Sequence, residues 1–382
     1  MLSFESHTIL KSFKGLCYIR GRLLVCKGSN IFWYDIKRSK LTFIIKLPYK
    51  QLFQSLSFSK KFRRLLRLDI SYAYFSDNLN ILFASVSGKI FEIDLEKKYI
   101  LGIFDLLRGS RVLNLTELKS LRGFDDGIYF GEYFSNENNS PVSIYKRDSV
   151  GIWIQVFTFK ASEVGHIHNI IPDKYRDCVW IFSGDLDQHT AIWKATDNFN
   201  VVMGIFKGKQ KFRACVGLPL KDKLIYATDS QEERNALYEI KLKGHEVTSF
   251  QRLKNLEGSV IYGLSYKEYL ICSTSVEPSI NPQKEGFVIK YGNNKVKFSL
   301  KNLFNNKRGI GIKSDFSTLF IYDYKKNQIK EITRNKKDIL PFALFQFGSM
   351  IFPNGLQNSE YLIWFNVGLK KNDCDTIIYR MN

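Results

Sequence analysis

The sequence predicts an all-β fold: a single β-propeller of about seven four-stranded blades, six or eight being the neighbouring counts, over residues 1–382. Three observations predict it. Short apolar runs separated by polar turns recur along almost the whole chain. Aromatic content is high, at 15% with 31 Phe and 20 Tyr, and aromatic and β-branched residues favour strands. The runs group in fours with a period of about 40 to 50 residues, which is the signature of propeller blades.

Taken in order, residues 15–19, 22–26, 30–34 and 41–45 form the first meander, with turns at Arg20-Gly21 and Lys27-Gly-Ser-Asn30. The pattern returns at 71–75, 80–85, 89–93 and 99–103, and a third copy covers 127–131, 142–145 and 153–157. The fourth comprises 166–170, 179–182, 190–193 and 201–205, and the fifth 213–216, 223–226, 236–240 and 247–250. The sixth is read as 260–264, 269–272, 286–289 and 295–298. The seventh is less regular: 309–312, 318–322 and 329–332, followed by 342–345, 361–365 and 376–379. Either this last segment holds more than one blade, or its final strand completes the first blade and closes the ring. Only residues 50–68 carry a short helix signal. No Pro-rich or Ser-rich linker divides the chain, which reads as one domain.

The formal charge of +20 suits an anionic partner: nucleic acid, an acidic membrane surface or an acidic polysaccharide. The basic residues are scattered, and the densest cluster, Lys60-Lys-Phe-Arg-Arg64 with Arg67, reads as a solvated face. No nucleic-acid-binding motif accompanies it, so a sequence-specific nucleic-acid partner is not expected. The six cysteines lie far apart with no CxxC pair, which argues against a zinc ribbon or redox motif. The N-terminus lacks a signal peptide's basic start and apolar core, and no run is long enough for a transmembrane helix. The expectation is a cytoplasmic protein with reduced thiols.

Candidate site residues concentrate between Gly165 and Ser230, a stretch that holds three of the five histidines. His166 and His168 are two apart in an apolar frame, so a strand aims both at one face. Histidine is also the side chain best placed to act as a base near neutral pH. Arg213 enters an apolar run, where it must be paired or solvated, and its planar fork suits a carboxylate or phosphate. Gln210 stands beside it. Asp185, Asp229 and Glu277 each follow a strongly apolar run; they serve as an acid–base set or as turn residues. Tyr226 can act as acid or base if a cation lowers its pKa. His189 follows Asp185 closely. No cofactor is expected. The alternative is a divalent metal at His166 and His168, with Asp185 and His189 as third and fourth ligands. Glycine-rich phosphate loops, GxSxG and HExxH are absent, which removes the common nucleotide-dependent and hydrolase classes.

The block Gly131-Glu-Tyr133, Val142-Ser-Ile-Tyr145, Asp148, Gly151 and Trp153 resembles a degenerate Asp-box, the Ser-x-Asp-x-Gly-x-x-Trp turn of sialidase-like BNR-repeat propellers. Lys146 stands where the Ser belongs, and both internal spacings are off by one. The succession His166-Ile-His168, Gly184-Asp185, Gln210-x-x-Arg213-Ala214 and Thr228-Asp229 resembles uncharacterised BNR-like propellers; the likeness covers about 124–277. Sialidases present three arginines, whereas this chain offers one well-placed Arg. The resemblance implies a carbohydrate-active propeller that binds or cleaves an acidic glycan, including a role in surface-polysaccharide metabolism. In a lyase version Arg213 neutralises a uronate carboxylate, His166 or His168 takes the proton, and Tyr226 or the second His returns it; Asp185, His189, Gln210, Asp229 and Glu277 bind substrate. One alternative is a non-catalytic scaffold or binding propeller with a protein or peripheral-membrane partner. Another is a metal-dependent glycoside hydrolase.

Overall fold

The computed structural model describes residues 3–279, 287–291, 294–298 and 307–381. The turns set the blade pattern. Arg20 and Gly21, both at positive φ (47° and 82°), join Lys14–Ile19 to Arg22–Lys27, the two-residue hairpin whose twist matches that of its strands. Asn30–Asp35 and Lys40–Lys46 complete blade one. At 148–152 the turn is made by a side chain: Asp148 Oδ1 accepts from the amides of Val150 (3.1 Å) and Ile152 (2.8 Å).

The described residues form seven four-stranded antiparallel sheets. Blade two is Tyr72–Ser76, Ile81–Val86, Lys89–Asp94 and Tyr99–Asp105. Blade three is Thr116–Leu118, Gly127–Gly131, Val142–Arg147 and Trp153–Phe159; its three-residue first strand is too short to stand out as an apolar run. Blade four is His166–Asp173, Cys178–Gly184, Ala191–Thr196 and Val201–Lys207. Blade five is Ala214–Leu220, Lys223–Thr228, Ala236–Lys243 and Glu246–Asn255.

Blade six corrects the sequence reading. Its strands are Ser259–Tyr266, Tyr269–Ser275, Phe316–Asp323 and Gln328–Lys336. Phe287–Tyr291 and Asn294–Phe298 pair only with each other as an inserted hairpin; residue 286 lies outside the described residues. The insertion alternates like a blade hairpin, so periodicity alone assigned it to the sheet. Residues 309–312 and 342–345 are turns rather than strands.

Blade seven comprises Ser349–Ile351, Tyr361–Val367 and Thr376–Met381, with Phe4–Leu10 as its outer strand. Of the two endings the sequence allowed, the irregular last segment does hold strands of more than one blade, whereas its final strand does not complete the first blade. The first strand completes the last blade, and it does so through pairs running from Phe4↔Met381 to Leu10↔Thr376.

The core lies between blades, because alternate residues of a strand face opposite sides of its sheet. In Lys223–Thr228, Leu224 and Tyr226 pack toward blade four, while Ile225 and Ala227 pack toward blade six. Residues 51–65 sit between blades one and two as a 3-10 helix, Gln51–Phe58, and a short α-helix, Lys60–Leu65. The helix signal at 50–68 is thus borne out. All six cysteines are free and buried, and no helix among the described residues is long and apolar enough to cross a membrane.

Candidate functional site

The chain segments that enter the innermost strands and leave the second strands converge on one rim. His166 opens the first strand of blade four, and Gly184 closes the second. Arg213 directly precedes the first strand of blade five, and Asp229 directly follows the second. His166 and Arg213 thus hold equivalent positions one blade apart.

His166 and His168 do point to one place: their Nε2 atoms are 2.9 Å apart. Their Nδ1 atoms face backbone carbonyls, His166 toward Phe134 O at 3.2 Å and His168 toward Ala214 O at 3.0 Å. Asp185 reaches both rings, with Oδ2 and Oδ1 each 3.4 Å from one Nε2. Gly184 makes this approach possible, since a Cβ there would lie 2.7 Å from His168 Cε1.

Arg213 Nη2 lies 2.7 Å from Asp185 Oδ1 and 3.5 Å from Asp229 Oδ2, and Nη1 reaches Gln231 Oε1 at 3.4 Å. Burial opposes ionisation of Asp185, but Arg213 and then His166 outweigh it and hold the carboxyl well below the usual range. Burial likewise works against the Arg213 charge, and Asp185, Asp229 and Glu277 overcome it. Glu277 receives Gln231 Nε2 at 2.5 Å and the Ser259 hydroxyl. Burial, and next the Asp229 carboxylate, push its carboxyl up to about 8. Burial and then Asp229 hold the Cys215 thiol well above its ordinary value, and Sγ donates to Asp229 Oδ2 at 3.3 Å.

Gln210 serves as a clamp. Its Nε2 donates to Asp185 O (2.9 Å) and Asp187 Oδ1 (2.8 Å), and its Oε1 accepts from Ser230 Oγ (2.9 Å). His189 is buried behind the pair; burial, then His166, lower its pKa. Tyr226 does not join the group. Its hydroxyl donates to Lys211 O at 2.7 Å and its ring stacks on Tyr238 within the core between blades four and five. Strand alternation decides this: the side-chain face of Tyr226 is the inter-blade one. Burial also raises its pKa, the opposite of what acid–base work requires. Gln231, Ser259 and Cys215 were missed in the sequence, although Gln231 sits two residues past Asp229 in the same turn.

His166 also lines a cavity of about 480 Å³ on the ring axis. Six cationic residues line it (Lys14, Lys50, Arg63, Arg64, Arg67 and Arg111), against one acid, Asp69. The Lys60–Arg64 cluster with Arg67 is split: Arg63 and Arg64 are 1% and 2% exposed, while Lys61 and Arg67 face solvent as a solvated face would. Arg64 is neutralised by Asp338 (2.5 Å) and Asp373 (3.0 Å). Arg63 contacts Ser12 O at 2.7 Å and Asp69 at 3.5 Å, while its Nε and Nη2 have no partner among the described residues.

No protein-family model matches the chain, and no curated protein is similar to it in sequence. Among solved structures the likeness is one of shape. A chain of the Mitotic Checkpoint Complex crystal structure matches with a TM-score of 0.55 at 8% identity, covering 99% of this chain and 94% of that one. The β-propeller domain of Myceliophteria thermophila Cps50 (Swd1) matches with a TM-score of 0.55 at 7% identity over 100% of both chains. The chain is a seven-bladed β-propeller. At these identities the likeness reaches the fold and no further.

Proposed function

We propose that this chain is a non-catalytic binding propeller that engages a protein partner through the insertion after blade one. The observation that carries the reading is the inverted polarity of that insertion. Leu52, Phe53, Phe58 and Phe62 are 90%, 43%, 71% and 43% exposed, while Gln54, Arg63 and Arg64 are buried. Clustered exposed apolar side chains mark interaction sites, whereas scattered ones do not. The similar chain from the Mitotic Checkpoint Complex belongs to a protein assembly, which accords with this reading. Two observations weigh toward binding rather than lyase chemistry: Arg213 is already paired to two carboxylates, and Tyr226 is committed to the core.

The test is a photo-cross-linking residue at Phe58, compared in cells with one at Val150, which is 77% exposed in the hairpin turn between the last two strands of blade three. The expected result is a discrete protein adduct from position 58 alone, lost when Leu52→Asp is added. Equal adducts from both positions, or none from 58, would sink the idea. Pelleting with anionic vesicles that Phe58→Asp abolishes would assign the patch to a membrane instead.

A second reading rests on the cationic cavity: the channel takes a small multiply charged anion, with the acidic glycan expected from sequence as one candidate. The excess of cations over acids and the unpartnered Arg63 nitrogens support it. Calorimetric titration with tripolyphosphate and with uronate oligomers, on wild type and Arg111→Gln, tests it. The reading requires micromolar binding that weakens about tenfold in the variant, loss of one charge-assisted contact being worth ~1.5 kcal/mol. Failure of both anions to bind rules it out.

A further inference from the structure

The histidine pair poses a hydrogen-bonding problem with few solutions. A carbonyl oxygen can only accept. Phe134 O and Ala214 O therefore place a hydrogen on Nδ1 of both His166 and His168. In neutral rings that leaves both Nε2 atoms as bare lone pairs. Those atoms are 2.9 Å apart, and a carboxylate with oxygens 3.4 Å from each straddles them. Three electron-rich groups facing one point need a positive centre there.

A proton serves only one line between two of these groups. A divalent cation serves all three together. Ligands about 2.0–2.1 Å from a tetrahedral zinc lie roughly 3.3–3.4 Å from one another; the two imidazole–carboxylate separations of 3.4 Å, each to its own oxygen, match this, while the Nε2 atoms, 2.9 Å apart, have to open slightly around an ion. The surroundings match what metal ligands require. Imidazole ligands are oriented by an Nδ1–H donated to a carbonyl, and ligating carboxylates are themselves hydrogen-bonded. Here Phe134 O and Ala214 O hold the rings, and Arg213 holds Asp185 Oδ1 at 2.7 Å. Two imidazoles with one carboxylate suit zinc rather than calcium or magnesium.

We propose that His166 Nε2, His168 Nε2 and the Asp185 carboxylate form a divalent transition-metal site, zinc by donor type, beside the cavity that His166 lines. The neighbouring set His168, Cys215 and Asp229 is also compact, but it does not compete. His168 Nδ1 is directed at Ala214 O, and the Cys215 thiol donates to Asp229. This site is built from blade four and not from the exposed apolar side chains of the insertion, so it holds whether or not the partner reading does.

The experiment uses the full chain, stripped with a chelator and titrated with Zn²⁺ alone by calorimetry. A parallel Co²⁺ titration reads coordination from the visible spectrum. The expected result is one equivalent of zinc and intense tetrahedral Co²⁺ bands. Affinity should fall at least about tenfold, the floor even for outer-shell changes, in His166→Gln and in Asp185→Asn. His245→Gln, at an exposed histidine, should bind as wild type does. Asp185 is partly exposed and its Asn variant is isosteric, so that variant keeps the test intact if a histidine variant misfolds. Absence of stoichiometric zinc binding by wild type, or equal binding by Asp185→Asn, overturns the proposal.

Discussion

Replacing Arg213 by Met tests whether this arginine is a structural counter-ion or a free ligand-binding group. Met keeps much of the stem volume and removes the charge. Asp229 is then left 4% exposed. Its Oδ2 keeps the Cys215 thiol, and its Oδ1 already has no partner among the described residues. Asp185 fares better, since its side chain is 40% exposed and can be solvated. Breaking a buried pair by removing one partner costs about 3–5 kcal/mol. At roughly 2.1 cal/mol/K per residue, the 382-residue chain has an unfolding entropy of about 0.8 kcal/mol/K. The expected fall in Tm is therefore ~4–6 °C by scanning calorimetry. Adding Asp229→Asn removes the stranded charge and should restore about half of the loss. An unchanged Tm for Arg213→Met, or a double variant no more stable than the single one, would refute the counter-ion role and return Arg213 to the pool of ligand-binding groups.

Glu277 carries a pH signature. Its carboxyl is raised from 4.5 to about 8 in the fold, so the folded chain binds a proton that the unfolded chain releases. Its contribution is fully present below about pH 4.5 and is lost as pH rises toward 8; Glu277→Gln should flatten that decline and be the more stable protein at pH 8.5 in urea melts. Tyr226→Phe removes one buried hydroxyl bond to Lys211 O and should cost ~1 kcal/mol, with no change in zinc or anion binding by calorimetry. Thiol labelling of the native chain should be slow at all six cysteines, which are buried, Cys26 and Cys178 being pushed up to about 12 chiefly by burial; rapid stoichiometric labelling without denaturant would contradict the packing.

Most of the fold was legible because most blade strands are apolar runs bounded by their own turn signals. The misreadings have one cause. Where the chain inserts a hairpin into blade six, local alternation is genuine but the partner strand is non-local, at Phe316–Asp323. Sequence period registers the first property and not the second. The same limit explains the closing strand, whose partner lies at the other end of the chain. At the site, His166, His168, Asp185, Arg213, Gln210, Asp229 and Glu277 were readable because blade repetition places strand ends on one rim. Tyr226 was misplaced because residue type does not reveal which side of a sheet it faces. The cationic cavity was hidden for another reason. Lys14, Arg63 and Arg111 come from separate segments, and a run such as Lys60–Arg64 looks solvated until the insertion folds Arg63 and Arg64 inward.

The pairing of Phe4–Leu10 with Thr376–Met381 also governs the order of events during synthesis. The first five blades can form as the ribosome delivers them, since each is a run of four consecutive strands, and blade six follows once Phe316–Asp323 emerges beyond its insertion. The seventh cannot be completed until the final strand emerges, so the first strand has to wait through the making of nearly the whole chain. Pairings so distant in sequence form late. Until then the nascent arc presents the unsatisfied backbone of its two ends and the apolar flanks of blades one and six, surfaces that invite association with other chains. The latch that finishes the molecule is thus also its most vulnerable step, and the period before it shuts is when a chaperone would matter most.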